Sequence, residues 1–205
     1  MGSLTAPEVG EEALDPDAGA WDSIPSEGVP LVPVPIEAQL NAYVRAAWTG
    51  RDYGRSGPVE LALARCGGRL LARLSWDGSA VPPGEFTDAA GLLLPREPGT
   101  ASPVTMGTHA EPVSLWQWRD RLASQQGLPS AKYLVSTGPG VFRPVPAGGE
   151  VSARSSRAGA RWSVVLAGPA EALATGSVGV AVWDGANAER AGIGAVCATW
   201  VEVTP

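Results

Sequence analysis

Charged residues and long apolar runs are both scarce in this 205-residue sequence. Charged residues make up only 18% of the chain, and no apolar run reaches the roughly 18 residues that a membrane-spanning helix needs. The net charge of −6 argues against nucleic acid as a partner. An apolar content of 44% is enough for one domain with a core, and so weakly charged a surface is typical of a chain partly covered by partner subunits.

Cysteine and histidine are also nearly absent. The two cysteines, Cys66 and Cys197, lie far apart in the sequence and form either one disulfide or two buried thiols. They are too few for an iron–sulfur cluster or a cysteine-rich zinc site, and the lack of C-x-x-C-H excludes a covalently attached c-type haem. With a single histidine, His109, and no G-x-S-x-G motif, a Ser-His-Asp hydrolase site has little support.

The first 35 residues are acidic and rich in proline. This composition predicts an extended arm or a disordered tail at residues 1–35, followed by one folded domain at residues 36–205. The start of the sequence lacks a basic segment followed by an apolar one, so we expect no secretory signal and a cytoplasmic location.

Apolar and polar residues alternate through much of the remaining chain, which is the pattern of half-buried β-strands. The alternation covers residues 59–64, 69–76, 161–168 and 177–183, and residues 196–203 are predicted to form a last strand. Cys66-Gly67-Gly68-Arg69, between the first two of these runs, is a hairpin turn signal. With 26 glycines and 19 prolines as further turn signals, the sequence predicts an all-β antiparallel sandwich of about seven to nine short strands.

Two segments are harder to interpret. Residues 40–49 also alternate and are predicted to form a strand, whereas residues 113–126 are predicted to form a short helix or an irregular excursion. Residues 95–145 form the longest stretch without a clear strand period. Binding sites concentrate in long irregular loops on a β scaffold, so we expect the functional residues there.

Three rare residues fall in this stretch: Met106, which is the one methionine besides the initiator, the single histidine His109 and the single lysine Lys132. Thioether sulfur, imidazole nitrogen and a neutral amine all bind haem iron, and a buried apolar pocket favours the neutral amine. Two axial ligands approach from opposite faces of the porphyrin. Met106 and His109 are therefore too close in sequence to pair readily, whereas Met106 and Lys132 are separated by ample chain. A core methionine, an exposed loop histidine and a surface lysine explain the same residues without a cofactor.

Several motifs resemble the haem b γ subunits of the ethylbenzene dehydrogenase and dimethylsulfide dehydrogenase type, within the type II dimethyl sulfoxide reductase group of molybdoenzymes. Met106-Gly107 followed by the W-x-W of Trp116 and Trp118 resembles the ligand loop of that family. The W-D-G-x-N-x-E-R segment that begins at Trp183 resembles its C-terminal strand and turn. Further similar segments lie in the family's order at residues 44–50, 71–77 and 159–165.

The resemblance implies a β-sandwich that holds one non-covalent haem b, with Met106 and Lys132 as axial ligands. Iron with both axial positions filled has no open site, so such a centre transfers electrons and binds no substrate. The resemblance also implies a set of haem surroundings, in which the two arginines would pair with the propionates. These surrounding residues are Trp116, Trp118, Arg119 and Arg190.

The sequence departs from the family at two places. Relatives often carry lysine where Arg119 stands, and a basic pair where Ile193-Gly194 stands. The N-x-E-R turn is also explained by structure alone, with Glu189 and Arg190 bracing neighbouring strands.

The same resemblance implies that the chain is not an enzyme by itself. A molybdenum α subunit would perform the chemistry, and an iron–sulfur β subunit would exchange electrons with this chain, which relays them to or from an external carrier such as a soluble cytochrome. Export together with a signal-bearing partner would then give a periplasmic location instead of a cytoplasmic one. The alternative function is a haem-free sandwich that is structural or binds carbohydrate or another ligand, with the eight tryptophans as stacking platforms.

Overall fold

The structure is a computed structural model that describes residues 4–79, 85–100, 102–120, 131–145 and 151–204. In these ranges the chain forms fourteen strands, joined by turns, short 3-10 segments and an α-helix, α1 (Ala42–Trp48). The strands are β1 (Leu4–Thr5), β2 (Ser26–Val29), β3 (Leu31–Pro33), β4 (Val59–Cys66), β5 (Arg69–Asp77), β6 (Ala89–Pro95), β7 (Val113–Arg119), β8 (Ala131–Ser136), β9 (Phe142–Pro144), β10 (Ser152–Ala158), β11 (Arg161–Pro169), β12 (Ser177–Trp183), β13 (Ala195–Cys197) and β14 (Val201–Thr204).

These strands form two open sheets that pack face to face, so the predicted all-β sandwich is confirmed. The larger sheet has the order β1-β14-β12-β6-β7-β8-β9, with β13 paired to β12 and β3 paired to β13. The smaller sheet has the order β10-β11-β5-β4-β2. The predicted hairpin joins β4 to β5 through Gly67 and Gly68, both at the positive φ that a tight two-residue turn requires.

The prediction of a strand at residues 40–49 is wrong, because this segment forms α1. The Asn41 side chain caps the helix by accepting hydrogen bonds from the backbone N–H groups of Tyr43 and Val44, at 2.9 and 3.3 Å. Val44 and Trp48, one helical turn apart, pack together in a small cluster that includes Tyr53. An alternating pattern over so few residues fits a helix as well as a strand.

The prediction of a helix or an irregular excursion at residues 113–126 is wrong for its first half, since β7 is a central strand of the larger sheet. Every residue of β7 from Val113 to Trp118 is buried. A strand covered on both faces loses the alternation that marks half-buried strands. Residues 121–126 lie outside the described part of the chain. The last predicted strand also divides into β13 and β14.

The sequence predicts an unpacked arm before residue 36, whereas the structure packs residues 4–35 against both sheets. Strands β1, β2 and β3 each join a sheet, and Trp21 is buried against the outer face of the smaller sheet. The indole N–H of Trp21 donates to the carbonyls of Ala13 and Asp15. Composition favours a tail here because the few apolar residues are widely spaced, yet each reaches an apolar surface elsewhere in the fold.

The core between the sheets is built around tryptophan. Trp76 and Trp162 from the smaller sheet meet Trp118 from the larger one, with ring centroids 5.0–6.3 Å apart. Beside them, Trp116 crosses the gap and lies over Gly168 on β11. A Cβ atom at Gly168 would lie 2.6 Å from the Trp116 ring, so glycine is required for the two sheets to approach at this point.

We predict that Gly168→Ala lowers the free energy of unfolding by about 1–3 kcal/mol, because the added methyl group overpacks the core against Trp116. Urea denaturation followed by tryptophan fluorescence measures the change. Gly28→Ala is the matched control, since Gly28 also lies in a strand and a Cβ atom there meets nothing within 4 Å. The control should be neutral or stabilising by up to about 1 kcal/mol. Equal effects of the two substitutions would contradict the proposed contact.

Candidate functional site

The larger sheet curls so that its outer face, turned away from the smaller sheet, becomes concave. Trp183 on β12 and Phe142 on β9 are four strand spacings apart along the sheet, which is about 19 Å in a flat sheet. Their ring centroids nevertheless lie only 6.5 Å apart. The turn at Gly140 also touches the loop at Gly192. We call this side of the larger sheet the concave face.

Strand register assigns side chains to the concave face. Gly91, Gln117 and Lys132 are directly paired across β6, β7 and β8, so their side chains project to the same side. That side is the concave one, because the ring of Trp183 covers Gly91. Leu134 and Ser136, two and four residues after Lys132, point the same way.

A pocket of about 330 Å³ opens on the concave face, and two arginines line it. The Arg119 Nε–H donates to the Gln117 side-chain oxygen at 3.0 Å, and burial lowers the pKa of Arg119. The Arg190 guanidinium lies 4.0 Å from the ring centroid of Phe86. The half-buried ring of Phe86 adds an apolar wall. The pocket therefore suits a ligand that combines a flat apolar body with an acidic group.

Met106 lies against the concave side of β8 and is completely buried. The Ser136 hydroxyl donates to the Met106 carbonyl oxygen at 2.5 Å. Met106 ends a 3-10 turn, Pro103–Thr105, in the left-handed conformation with φ 52° and ψ 37°. Strained backbone of this kind concentrates at functional sites. The Met106 thioether is thus a soft donor group held in apolar surroundings.

Lys132 is exposed on β8, directly across from the pocket residue Gln117. Ser136, which holds Met106, follows four residues later on the same strand, a distance of about 13 Å. The structure therefore brings Lys132, Met106 and both arginines to one side of the larger sheet. His109 is also exposed, in the loop that leads to β7.

The two other sequence candidates lie on the opposite side of β7. Trp116 and Trp118 are fully buried between the sheets, and neither indole N–H has a hydrogen-bond partner in the described structure. A ligand on the concave face would be separated from both rings by the sheet itself. Their part in the fold is to pack the two sheets together.

Glu189 is the buried carboxylate of the site, and it divides the concave-face pocket from a second one. Its oxygens accept hydrogen bonds from the backbone N–H groups of Gly54 at 2.7 Å and Asp184 at 3.0 Å, and from the Asn187 amide at 3.1 Å. These contacts support the interpretation of the N-x-E-R turn as a structural brace. The partner at Gly54 lies 135 residues away, so the motif alone gives no signal for it.

The second pocket, of about 520 Å³, is polar and acidic. Its wall includes Asp52, Asp77 and Asp184. Trp76 also borders it but is only 2% exposed, which leaves almost no ring surface for stacking on a sugar. Among the described residues, no group of three or more His, Cys, Asp or Glu side chains could hold a metal ion.

The two cysteines do not pair. Cys66 is half-buried at the β4–β5 hairpin, and Cys197 is buried on β13. Burial raises the pKa of the Cys197 thiol to about 11, so it remains protonated and unreactive at neutral pH.

No protein-family model matches the chain. Chlorate reductase subunit gamma of Ideonella dechloratans is 29% identical over 93% of this chain and 79% of its own length. Dimethylsulfide dehydrogenase subunit gamma of Rhodovulum sulfidophilum is 26% identical over 91% of this chain and 73% of its own length. A Haloferax mediterranei protein, provisionally named a respiratory nitrate reductase heme subunit, is 26% identical over 89% of this chain, which spans 65% of that relative.

These matches, one to a protein named a haem subunit and two to γ subunits, confirm the resemblance that the sequence motifs predict. They cover nearly the whole chain, including residues before position 36. In the described part of the chain, no helix has the length and apolar character needed to cross a membrane.

We predict that Glu189 makes the stability of the protein depend on pH. Burial raises the pKa of this carboxyl above its ordinary value of 4.5, so the folded state binds the proton more tightly than the unfolded state. This stabilisation is complete below the ordinary pKa and is lost as the pH rises through the raised one. The free energy of unfolding of the wild type, minus that of Glu189→Gln, should therefore increase on acidification from pH 7 towards about 4.5. Urea titrations across this range measure it, and a constant or shrinking difference would contradict the prediction.

Proposed function

We propose that this chain is a non-catalytic electron-transfer subunit of a molybdenum oxidoreductase and holds one non-covalent haem b on the concave face. The observation that carries the proposal is the position of Met106, a fully buried thioether on a locked backbone, on the same face as Lys132 and a two-arginine pocket. The names of the relatives, which are haem or γ subunits of reductases and dehydrogenases, support it independently.

The residues of the concave face fit a haem. Met106 offers soft sulfur, and the half-buried rings of Phe86 and Phe142 offer flat apolar surface. Arg119 and Arg190 suit carboxylates, because guanidinium groups bind them through paired hydrogen bonds. Lys132 fits less directly, since its amine is exposed. A neutral amine is favoured by burial, so Lys132 would bind iron once the bound macrocycle covers it.

A bound haem would supply one reversible electron at its iron. The chain itself would bind the iron through Met106 and Lys132, hold the carboxylates through Arg119 and Arg190, and exclude water through Phe86 and Phe142. With two side chains bound to the iron, the site would leave no place for a substrate.

The finer assignment concerns the partners. We propose that an iron–sulfur subunit exchanges electrons with this chain, that a molybdenum subunit performs the chemistry, and that an external carrier completes the relay. The name "subunit" in two of the relatives supports assembly into a complex.

We predict that the full-length chain, purified with its neighbouring subunits, has a low-spin haem b spectrum, and that Met106→Leu turns it high-spin. Leucine keeps the volume of the buried side chain but removes the sulfur, so packing changes little while a ligand is lost. Optical spectra of the oxidised and the dithionite-reduced protein measure the spin state. Leu134→Met is the packing control, because it also exchanges leucine and methionine on the concave face and should leave the spectrum low-spin.

A low-spin spectrum that survives Met106→Leu would remove Met106 from the ligand set. A colourless wild type, even with haem supplied, would overturn the proposed function. Lys132→Ala extends the same test to the second ligand and should also give a high-spin spectrum.

We predict that Arg119→Gln and Arg190→Gln each weaken haem binding by about 10- to 150-fold, because each removes a charge-assisted hydrogen bond of about 1.5–3 kcal/mol. Haem transfer to apomyoglobin measures the loss. Arg55→Gln is the matched control, since Arg55 is exposed and borders the other pocket. If all three variants release haem at the wild-type rate, the arginines do not hold the propionates.

A further inference from the structure

The structure points to a role for a residue that no motif identifies. We propose that Ser136 is the positioning residue of the site: its buried hydroxyl fixes the backbone of Met106 and thereby aims the thioether at the haem iron. This inference rests on the proposed function and concerns how this chain holds one ligand in place.

The Met106 backbone needs such support, because left-handed conformations are costly for side chains other than glycine. In the described chain only Met106, Ala188 and Ala191 combine a side chain with positive φ. Such a conformation is unfavourable and persists only where the surroundings enforce it. If the backbone of Met106 relaxed to an ordinary conformation, its side chain would leave the position that the fold now gives it.

The 3-10 turn before Met106 holds it from one side. The Ser102 hydroxyl accepts a hydrogen bond from the Val104 N–H at 3.2 Å and donates one to the Ala198 carbonyl at 2.8 Å, which ties the turn to the segment after β13. The Met106 N–H then donates to the Pro103 carbonyl at 2.7 Å.

Gly107 closes the other side. It has φ 87°, and a Cβ atom there would lie 2.7 Å from the Ser136 carbonyl oxygen and 3.0 Å from the Val113 nitrogen. The chain after Met106 therefore runs directly against β7 and β8 and has no room to shift towards them.

Ser136 completes the clamp. Its side chain is fully buried, and its hydroxyl lies 2.5 Å from the Met106 carbonyl oxygen and 3.3 Å from that of Gly138. A hydroxyl has one proton, so the shorter contact to Met106 is the main hydrogen bond. Ser136 is the last residue of β8, and the hydrogen bond thus joins the Met106 backbone to the rigid sheet.

The test compares Ser136→Ala with Ser114→Ala in the full-length, haem-loaded chain. Ser114 is the matched control, because it is also a buried serine, on the neighbouring strand β7, and its hydroxyl lies 3.0 Å from the Tyr133 hydroxyl. The readouts are the sulfur-to-iron charge-transfer band of the oxidised protein and the midpoint potential. The band requires the bond between sulfur and iron, so a general loss of packing does not remove it while methionine stays bound. Burial also affects the potential, so its change is compared with that of the Ser114→Ala control.

We expect Ser136→Ala to shift the balance between bound and released methionine about fivefold towards release, the effect of losing a hydrogen bond of about 1 kcal/mol. The charge-transfer band should weaken and the potential should fall, because methionine ligation raises it. Ser114→Ala should leave both unchanged.

A Ser136→Ala protein with the wild-type band and potential would overturn the inference while leaving the proposed function intact. A colourless wild type would overturn both. If Ser136→Ala yields no folded protein, Ser136→Cys replaces it, since a thiol keeps the side chain's shape but donates only weakly. A weaker charge-transfer band and a lower potential in Ser136→Cys would then support the inference, and wild-type values would overturn it.

Discussion

The curl of the larger sheet is the constraint on which the rest of the structure depends. It brings Trp183 and Phe142 into contact across four strand spacings and turns an ordinary sheet surface into a concave one. Small residues allow the curl: Gly91 lies under the Trp183 ring, where a Cβ atom would lie 2.6 Å from Leu115. The opposite face of the same sheet is filled by Trp116 and Trp118, so it has no room for a ligand of any size. A single sheet thus packs the core with one face and carries the proposed site on the other.

Buried polar groups fix the loops around the concave face. Glu189 accepts three hydrogen bonds, two of them from backbone groups on different segments, and Ser136 joins the Met106 segment to β8. The Gln39 amide likewise donates to the Gly192 carbonyl. Each of these side chains forms hydrogen bonds with backbone groups of the loops. Removal of the side chain would leave those buried backbone groups without a partner, which is costly. Such loops keep side chains in place without a charged pair, which suits the proposed electron-transfer site, where little reorganisation is needed.

The sequence predicts the sandwich, the β4–β5 hairpin and β12 well. Gly67-Gly68 forms a two-residue turn, and valine recurs at every second position of β12 although that strand is buried on both faces. It fails at β7 and α1 for opposite reasons. Burial on both faces hides the strand period of β7, whereas α1 shows the alternation of a strand over too few residues to distinguish it from a helix. Met106, Lys132 and the two arginines are predicted as site residues from the sequence and stay predictions, whereas the contacts of Ser136 and Glu189 have no sequence signal. Their contacts join segments that only the fold brings together.

The exposure of Lys132 and the burial of Met106 suggest an order for assembly of the proposed site. Met106 is already dry and held by its backbone, so it costs little to bind iron with it. Lys132 is in contact with water, and its amine must lose both water and proton before it binds. In the proposed site, the apolar walls and the two arginines would hold the macrocycle, and its bulk would supply that burial. Met106 would therefore be the ligand that the fold prepares in advance, and Lys132 the one whose binding depends on a haem that is already held.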